Sequence, residues 1–134
     1  MISLDTNLIL SALNPNDINY TRALRSLDTY GQQVLCICPV VYAELRASGV
    51  WPAIAAWLDL QGVQVLWEMP IAVWESAGVA FGHYSQLRRA GKVPRRIVAD
   101  FLIAAHARHS RCEMLTFDDT VFKAVFPDIT LLAC

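Results

Sequence analysis

The hydrophobic positions of this chain form short continuous runs that are separated by longer stretches with helical spacing. The continuous runs are typical of strands covered on both faces, and they span residues 1–5, 34–38, 63–67, 114–116 and 129–132. Helices are predicted from Asn7, again after Asp17 as far as Gly31, and over residues 39–47, 51–60, 70–90, 94–108 and 119–125. Strands that alternate with helices require right-handed crossovers. The pattern therefore predicts an α/β protein, a three-layer α/β/α sandwich with a central, mainly parallel sheet.

Length and composition indicate one ordinary globular domain that spans residues 1–134. The chain is 55% hydrophobic and 17% charged, which argues against disorder. Charges or prolines interrupt its apolar runs too soon for a membrane span, so we expect no membrane association. Asp5 and Asn7 fall where a signal peptide would build its apolar segment. The four cysteines form no disulfide or metal pattern, and we expect reduced thiols in a cytoplasmic protein.

Four isolated carboxylates lie within or near the apolar runs: Asp5, Glu44, Asp100 and Asp118. Asp5 and Asp118 come at or just after predicted strands, and Glu44 lies one helical stretch beyond another strand. Ligands of open parallel sheets sit at the carboxyl ends of the strands, so these side chains can converge on one point. An ionised carboxylate that is buried without a partner is strongly disfavoured. A cluster of such groups therefore indicates a bound divalent cation.

Each carboxylate also has a structural interpretation. Asp5 could simply cap the helix that follows it, and Asp118 or its neighbour Asp119 could cap the last helix in the same way. Glu44 could be an exposed residue on the polar face of its helix. Asp100 is harder to explain structurally, because the residues on both sides of it are mostly large and apolar. The alanines that follow it would let its helix pack close to the sheet and bring this carboxylate toward the strand ends.

Basic residues are concentrated directly before Asp100, although the net charge of the chain is −1. Such a run is more often a solvated helix face than a binding surface. Beside an acidic metal site it gains a second interpretation, because a phosphate needs cations in order to approach a negative centre. The residues that could hold substrate phosphates in this way are Arg88, Arg89, Lys92, Arg95 and Arg96.

Four short motifs in this chain occur in the order and spacing of a known family. They are Leu4-Asp5-Thr6-Asn7-Leu8, Val41-Tyr42-Ala43-Glu44-Leu45, the helix segment Asp100-Phe101-Leu102-Ile103-Ala104-Ala105-His106-Ala107, and Leu115-Thr116-Phe117-Asp118. Together they resemble the PIN-domain family, and within it the small VapC-type toxins of prokaryotic toxin–antitoxin pairs. The resemblance covers nearly the whole chain and implies the same α/β/α sandwich.

The resemblance also implies a nuclease site that holds Mg²⁺ or Mn²⁺. It carries metal-site roles over to Asp5, Glu44, Asp100 and Asp118, and we expect supporting hydrogen bonds from Thr6, Asn7 and Thr116. The identity of the fourth acid stays open between the neighbours Asp118 and Asp119. The family commonly has an aromatic residue three positions after that acid, and Phe122 is three positions after Asp119; Thr116, two positions before Asp118, favours Asp118.

The implied function is that of a toxin: an endoribonuclease that hydrolyses RNA phosphodiester bonds until a cognate antitoxin protein inhibits it. VapC-like proteins are typically dimers that embed a segment of their partner in a groove. An apolar helix would fill this groove, and an Arg or Lys would reach the acidic pocket. The high apolar content and four tryptophans of the chain are consistent with a homodimer, since they suggest more hydrophobic surface than one core absorbs.

Other functions stay open at this point. The chain could be a non-toxin PIN nuclease of RNA processing, or a catalytically silent interaction module with the same fold. A phosphotransfer receiver would need paired acids after its first strand and a lysine near its last, whereas this chain has a lone Asp5 and places Lys123 in a helix. A haloacid-dehalogenase site needs D-x-D, and Asp5-Thr6-Asn7 lacks the second acid. Glycine-rich nucleotide loops and the serine-hydrolase elbow are missing from the sequence.

Overall fold

A computed structural model describes residues 1–134 as four strands and seven helices. The strands are β1 (Ile2–Leu4), β2 (Leu35–Ile37), β3 (Gln64–Val65) and β4 (Glu113–Leu115). The helices are α1 (Thr6–Ala12), α2 (Tyr20–Tyr30), α3 (Pro39–Arg46), α4 (Trp51–Gln61), α5 (Ile71–Arg89), α6 (Val98–His109) and α7 (Thr120–Val125).

The strands form one parallel sheet in the order β3-β2-β1-β4. This arrangement confirms the α/β/α sandwich with a parallel central sheet. Successive connections run from β1 outward to β3 on one side, and the chain then crosses to β4 on the other side of β1. The carboxyl ends of β1 and β4 therefore meet at the point where the strand order reverses, which is where open α/β sheets bind ligands. The Asp5 N–H donates to the Leu115 carbonyl (3.1 Å) and fixes this junction.

The core lies on both faces of the sheet, because all three residues of β1 and of β2 are buried. Helix α6 supplies most of one face, and every residue from Phe101 to Ala107 is buried. Phe101 packs against Phe81 and Tyr84 of α5, with ring centroids 5.0 and 5.1 Å apart. All four cysteines are free thiols. None of the helices combines the length and the apolarity that crossing a membrane requires.

Helix α6 begins at Val98, four residues later than the sequence pattern predicts. The Tyr84 hydroxyl donates to the Pro94 carbonyl (2.5 Å), and Ile97 is extended at the helix N-cap, so residues 94–97 cannot join the helix. Asp100 consequently lies in the first turn of α6. This position brings the carboxylate to the edge of the sheet where β1 and β4 end.

Two predicted strands are shorter than the apolar runs suggest. The run at residues 63–67 contributes only Gln64–Val65, because the Leu66 carbonyl bonds instead to the His106 ring (2.9 Å). The run at residues 129–132 forms only an isolated parallel bridge between Leu131 and Met114. Neither difference affects the edge of the sheet at which the acidic side chains lie.

Candidate active site

A cavity of about 260 Å³ opens at the carboxyl edge of β1 and β4. The side chains of all four predicted carboxylates line it, although they come from four different parts of the chain. Its apolar wall consists of Leu10, Ile103, Val121 and Phe122, and of these sequence reasoning had connected only Phe122 with the site. We call this cavity the acid pocket; its polar residues are Asp5, Thr6, Asn7, Glu44, Asp100 and Asp118.

Asp5 lies at the N-cap of α1 and is fixed through both carboxylate oxygens. Its Oδ1 accepts the Thr6 N–H (2.8 Å), and its Oδ2 accepts the Thr116 hydroxyl (2.6 Å). The capping interpretation is thus correct, but the carboxylate also faces the acid pocket. Burial raises the pKa of Asp5, and the charges of Glu44 and Asp118 raise it further against these hydrogen bonds.

Two neighbouring residues at the start of α1 have different hydrogen-bonding roles. The Thr6 hydroxyl donates to Glu44 Oε1 (2.7 Å) and thereby links α1 to α3. The Asn7 Oδ1 atom is buried and has no hydrogen-bond partner. Native structures rarely leave a buried amide oxygen unpaired, because the loss of water costs about 1–3 kcal/mol. Asn7 therefore offers a free oxygen donor at the acid pocket.

Asp100 is the most strongly perturbed carboxylate of the pocket. Burial raises its pKa to about 6, and the charge of Asp5 adds to this effect, whereas a backbone hydrogen bond from Ile97 opposes it. The charges of Asp118 and Glu44 raise the pKa of Asp100 as well. The charges of the other three carboxylates thus all act on Asp100, as expected in a partly desolvated site that acidic groups share.

The geometry distinguishes the roles of the neighbours Asp118 and Asp119. Asp118 lines the acid pocket, and its oxygens accept the Thr120 N–H (3.1 Å) and the Arg96 Nε–H (2.9 Å). Burial alone would raise the pKa of Asp118, but hydrogen bonds from Thr120 and Arg96, together with the charge of Arg96, outweigh it and hold the pKa below its ordinary value. Asp119 is not part of the pocket lining and pairs with Lys123 (2.5 Å). Asp118 is therefore the acid that faces the pocket.

Thr116 holds the turn after β4. Besides its bond to Asp5, its hydroxyl oxygen accepts the Asp118 N–H (3.1 Å). This residue is buried, so its hydroxyl couples the turn to the end of β1 rather than to solvent. The predicted supporting residues Thr6, Asn7 and Thr116 thus all lie at or beside the pocket, each with a different hydrogen-bonding role.

The five basic residues before Asp100 do not form one continuous surface. Arg88, Arg95 and Arg96 line a second cavity next to the acid pocket, whereas Arg89 and Lys92 are exposed outside both cavities. Only Arg96 reaches the acids, through its bond to Asp118. Sequence reasoning missed this ion pair, because 22 residues separate its partners and no local pattern marks it.

Asp5, Glu44 and Asp118 each accept a hydrogen bond from a side chain, whereas Asp100 accepts none from a side chain. Accordingly, no group of three or more His, Cys, Asp or Glu side chains is arranged to hold a metal ion. The donor chemistry nonetheless fits a hard divalent cation: four carboxylates and the unpaired Asn7 oxygen line one cavity, and hard cations prefer oxygen ligands.

We expect the substitution Asp100→Asn to stabilise the metal-free protein. The folded-state pKa of Asp100 lies above its ordinary value of 3.8, so ionisation opposes folding and stability is lost as the pH rises through about 6. Because Asp100 is only partly buried, we expect the variant to gain about 1–2 kcal/mol at neutral pH, or about 3–6 °C in Tm.

Thermal denaturation in EDTA tests this prediction at neutral pH and near pH 4, where the gain should largely disappear. Asp119→Asn is the matched control, since it removes a carboxylate outside the pocket and should not raise the Tm. A lower Tm in Asp100→Asn at neutral pH would instead identify Asp100 as a structural hydrogen-bond acceptor.

Comparison with known proteins agrees with this geometry. The sequence profile of the PIN domain matches residues 2–126. The chain therefore belongs to the PIN-domain family. No curated protein sequence matches the chain.

Several solved structures share the fold at low sequence identity. FitAcB from Neisseria gonorrhoeae is 22% identical with a TM-score of 0.66, and the match covers 99% of this chain and 97% of that one. VapBC2 from Rickettsia felis, bound to a DNA fragment from its promoter, is 21% identical with a TM-score of 0.64 and 98% coverage of both chains. VapBC-1 from nontypeable Haemophilus influenzae is 20% identical with a TM-score of 0.62, covering 98% of this chain and 97% of that one.

Proposed function

We propose that this protein is a metal-dependent endoribonuclease and the toxin of a toxin–antitoxin pair in the cytoplasm. The observation that carries the proposal is the acid pocket, in which four carboxylates from four separate elements line one cavity at the carboxyl edge of the sheet. Membership in the PIN-domain family supports a nuclease, because PIN domains are generally nucleases. The VapBC and FitAB structures with the same fold support the role as a toxin.

Asp5, Asp100, Asp118 and Glu44 would hold Mg²⁺ or Mn²⁺, with Asn7 Oδ1 as a further oxygen donor. When bound, such an ion neutralises charge on the scissile phosphate and lowers the pKa of a water that attacks in line. Glu44 or Asp118 would orient that water and take its proton. Their hydrogen bonds to Thr6 and Arg96 keep both carboxylates at the edge of the pocket.

The supporting residues position the acids before any substrate arrives. Thr116 holds one oxygen of Asp5, and the Thr6 N–H holds the other, so this carboxylate has a single orientation. The Thr6 hydroxyl orients Glu44 in the same way. Preorganised ligands matter because outer-shell hydrogen bonds typically change metal affinity or activity about 10- to 100-fold. The apolar wall with Ile103 and Phe122 would limit access of bulk water.

The direct test is incubation of the purified protein with a structured RNA and with DNA of the same sequence. We expect internal cleavage of the RNA in Mg²⁺ or Mn²⁺, none in EDTA, and recovery when metal is added back. Cleavage that persists in EDTA would exclude the metal mechanism, and cleavage of DNA alone would exclude a ribonuclease.

The antitoxin is expected to bring an apolar helix and a basic side chain to this protein. The acid pocket would accept an Arg or Lys, because Arg96 already shows that a guanidinium fits against Asp118 there. Co-expression with the product of the small reading frame adjacent to its gene should restore growth and allow the two proteins to be purified as a complex. Failure of every neighbouring product to do so would favour the non-toxin nuclease of RNA processing.

A homodimer is expected from exposed apolar side chains near the start of α5. Trp67, Ile71 and Trp74 are 61%, 74% and 53% exposed, which is unusual for large apolar groups that lie close together in sequence. Light scattering at high micromolar concentration should give the mass of a dimer for the wild type and a lower mass for Ile71→Glu. A monomeric wild type would contradict this prediction.

A catalytically silent interaction module is the second candidate, and one observation favours it. The Arg96 guanidinium already compensates the charge of Asp118, and no three acids are arranged for an ion. A silent module would neither cleave RNA nor gain stability from Mg²⁺. If the wild-type protein neither cleaves RNA nor is stabilised by Mg²⁺, the interaction module is the better account.

A further inference from the structure

The second cavity lies between the C-terminal half of α5 and the segment that precedes α6. Its volume is about 290 Å³, and no acidic side chain lines it. We call it the arginine cavity; the residues that define it are Arg88, Arg95 and Arg96 on its polar side, and Phe81, Ile97 and Val98 on its apolar side. The PIN-domain mechanism outlined above makes no use of the apolar side of this cavity.

Two guanidinium groups of the arginine cavity, those of Arg88 and Arg95, are available to an anion. Arg88 and Arg95 are exposed and take part in none of the ion pairs of the structure. Asp118 compensates only Arg96, so the positive charges of Arg88 and Arg95 have no carboxylate partner, and an anionic ligand would supply one. Arginine is also suited to phosphate, because its planar donors can bind two oxygens at once.

The apolar side of the cavity indicates more than a simple anion. Ile97 and Val98 are 60% and 48% exposed, although both are large apolar residues directly beside the arginines. An inorganic phosphate would leave this surface in water. A nucleotide matches both parts, because its phosphate is anionic while its base and ribose have faces that pack on apolar side chains.

The segment that carries these groups is held in place. The Tyr84 hydroxyl donates to the Pro94 carbonyl (2.5 Å), and Arg96 Nη1 donates to the Arg95 carbonyl (2.9 Å). Tyr84 itself is buried against Phe101 of α6. The cavity is thus built on α5 and on a segment that is anchored to it, which lowers the conformational entropy lost when a ligand binds.

Arg96 connects the arginine cavity to the acid pocket. Its side chain lines the first, and its Nε lies 2.9 Å from Oδ2 of Asp118, which lines the second. A single strand of RNA could therefore occupy both cavities with consecutive nucleotides. An acidic peptide would match the arginines but would leave the apolar side and this connection unexplained.

We propose that the arginine cavity is the subsite for the nucleotide next to the scissile phosphate. Arg88 and Arg95 bind the phosphate of that nucleotide, and Ile97, Val98 and Phe81 contact its ribose and base. The assignment rests on the proposed nuclease function, but it concerns binding and can be measured without cleavage.

The test is fluorescence anisotropy with a labelled single-stranded RNA of about ten nucleotides in EDTA, at several salt concentrations. We expect Arg88→Gln and Arg95→Gln each to weaken binding about 5- to 10-fold and to reduce the slope of log K against log salt by about 0.7. Arg89→Gln is the matched control on the same helix, and it should change the affinity less than about twofold.

A second variant tests the apolar side. Ile97→Ala should weaken binding of the intact RNA without changing the salt slope, and this effect should disappear with an abasic strand. Equal losses for Arg88→Gln, Arg95→Gln and Arg89→Gln would overturn the subsite, because they indicate diffuse attraction. Unchanged RNA affinity in both cavity variants would overturn it as well and point to a protein as the occupant.

The outcomes separate this inference from the proposed function. If the wild type fails to cleave RNA but shows the selective losses, the subsite stands and the nuclease proposal fails. If the wild type cleaves RNA while the three arginine variants bind it equally, the nuclease proposal stands and the subsite is overturned.

Discussion

Asp5→Asn should abolish RNA cleavage while the protein stays folded. Asparagine has nearly the same shape, and its carbonyl oxygen can still accept the Thr6 N–H, while the Thr116 hydroxyl can rotate to accept from the amide. The variant loses the negative charge that a cation requires at the end of β1. We expect activity to fall at least about a hundredfold, because loss of an outer-shell group alone can cost about 10- to 100-fold.

Expression in cells tests this prediction. Wild type, Asp5→Asn and the control Asp119→Asn are expressed separately without a partner, and growth and new RNA ends are recorded. Wild type and Asp119→Asn should arrest growth and produce the same RNA ends, whereas Asp5→Asn should do neither. Growth arrest by Asp5→Asn to the same extent as by the wild type would contradict the proposed role of Asp5, and circular dichroism checks that its fold is intact.

The acid pocket could be predicted from the sequence because local context marks its residues. Asp100 stands out among apolar neighbours, and Asp5 comes at the end of a short apolar run that indicates a buried strand. The alternation of strands and helices then required a parallel sheet, in which strand ends share one edge. These are local and topological signals, and they determine which parts of the chain meet.

The details of the pocket depend on side-chain geometry that local patterns do not encode. The sequence signals for Asp118 and Asp119 conflict, and the turn held by Thr116 places the first of them at the pocket. The late start of α6 depends on a hydrogen bond between Tyr84 and Pro94, ten residues apart. Pro94 is compatible with a first helical turn, and the sequence therefore predicted too long a helix.

The ion pair of Arg96 with Asp118 changes how the basic run is understood. Sequence reasoning treated the run as one phosphate-binding surface, but a cation beside Asp118 also competes with any metal for that carboxylate. Arg96 would thus have two effects of opposite sign: it would weaken metal binding and strengthen RNA binding. Release of Arg96 toward a phosphate when a metal binds would couple the two events.

Magnesium affinity should consequently change in opposite directions in two variants. Asp100→Asn should weaken Mg²⁺ binding at least about tenfold, because it removes the carboxylate that has no side-chain hydrogen bond and is therefore freest to ligate an ion. Arg96→Gln should strengthen Mg²⁺ binding about 2- to 5-fold, because Asp118 loses its competing cation while the glutamine retains a polar side chain. The same Arg96 variant should bind RNA more weakly.

Calorimetric titration of the metal-free proteins with Mg²⁺ and Mn²⁺ measures both changes, and Arg89→Gln controls for the loss of one positive charge elsewhere on the surface. Unchanged affinity in Asp100→Asn would remove Asp100 from the metal site. Equal gains in Arg96→Gln and Arg89→Gln would show that net charge matters and the contact with Asp118 does not. A selective gain in Arg96→Gln, together with its weaker RNA binding, would show that this guanidinium competes with the metal for Asp118 and also contributes to RNA binding.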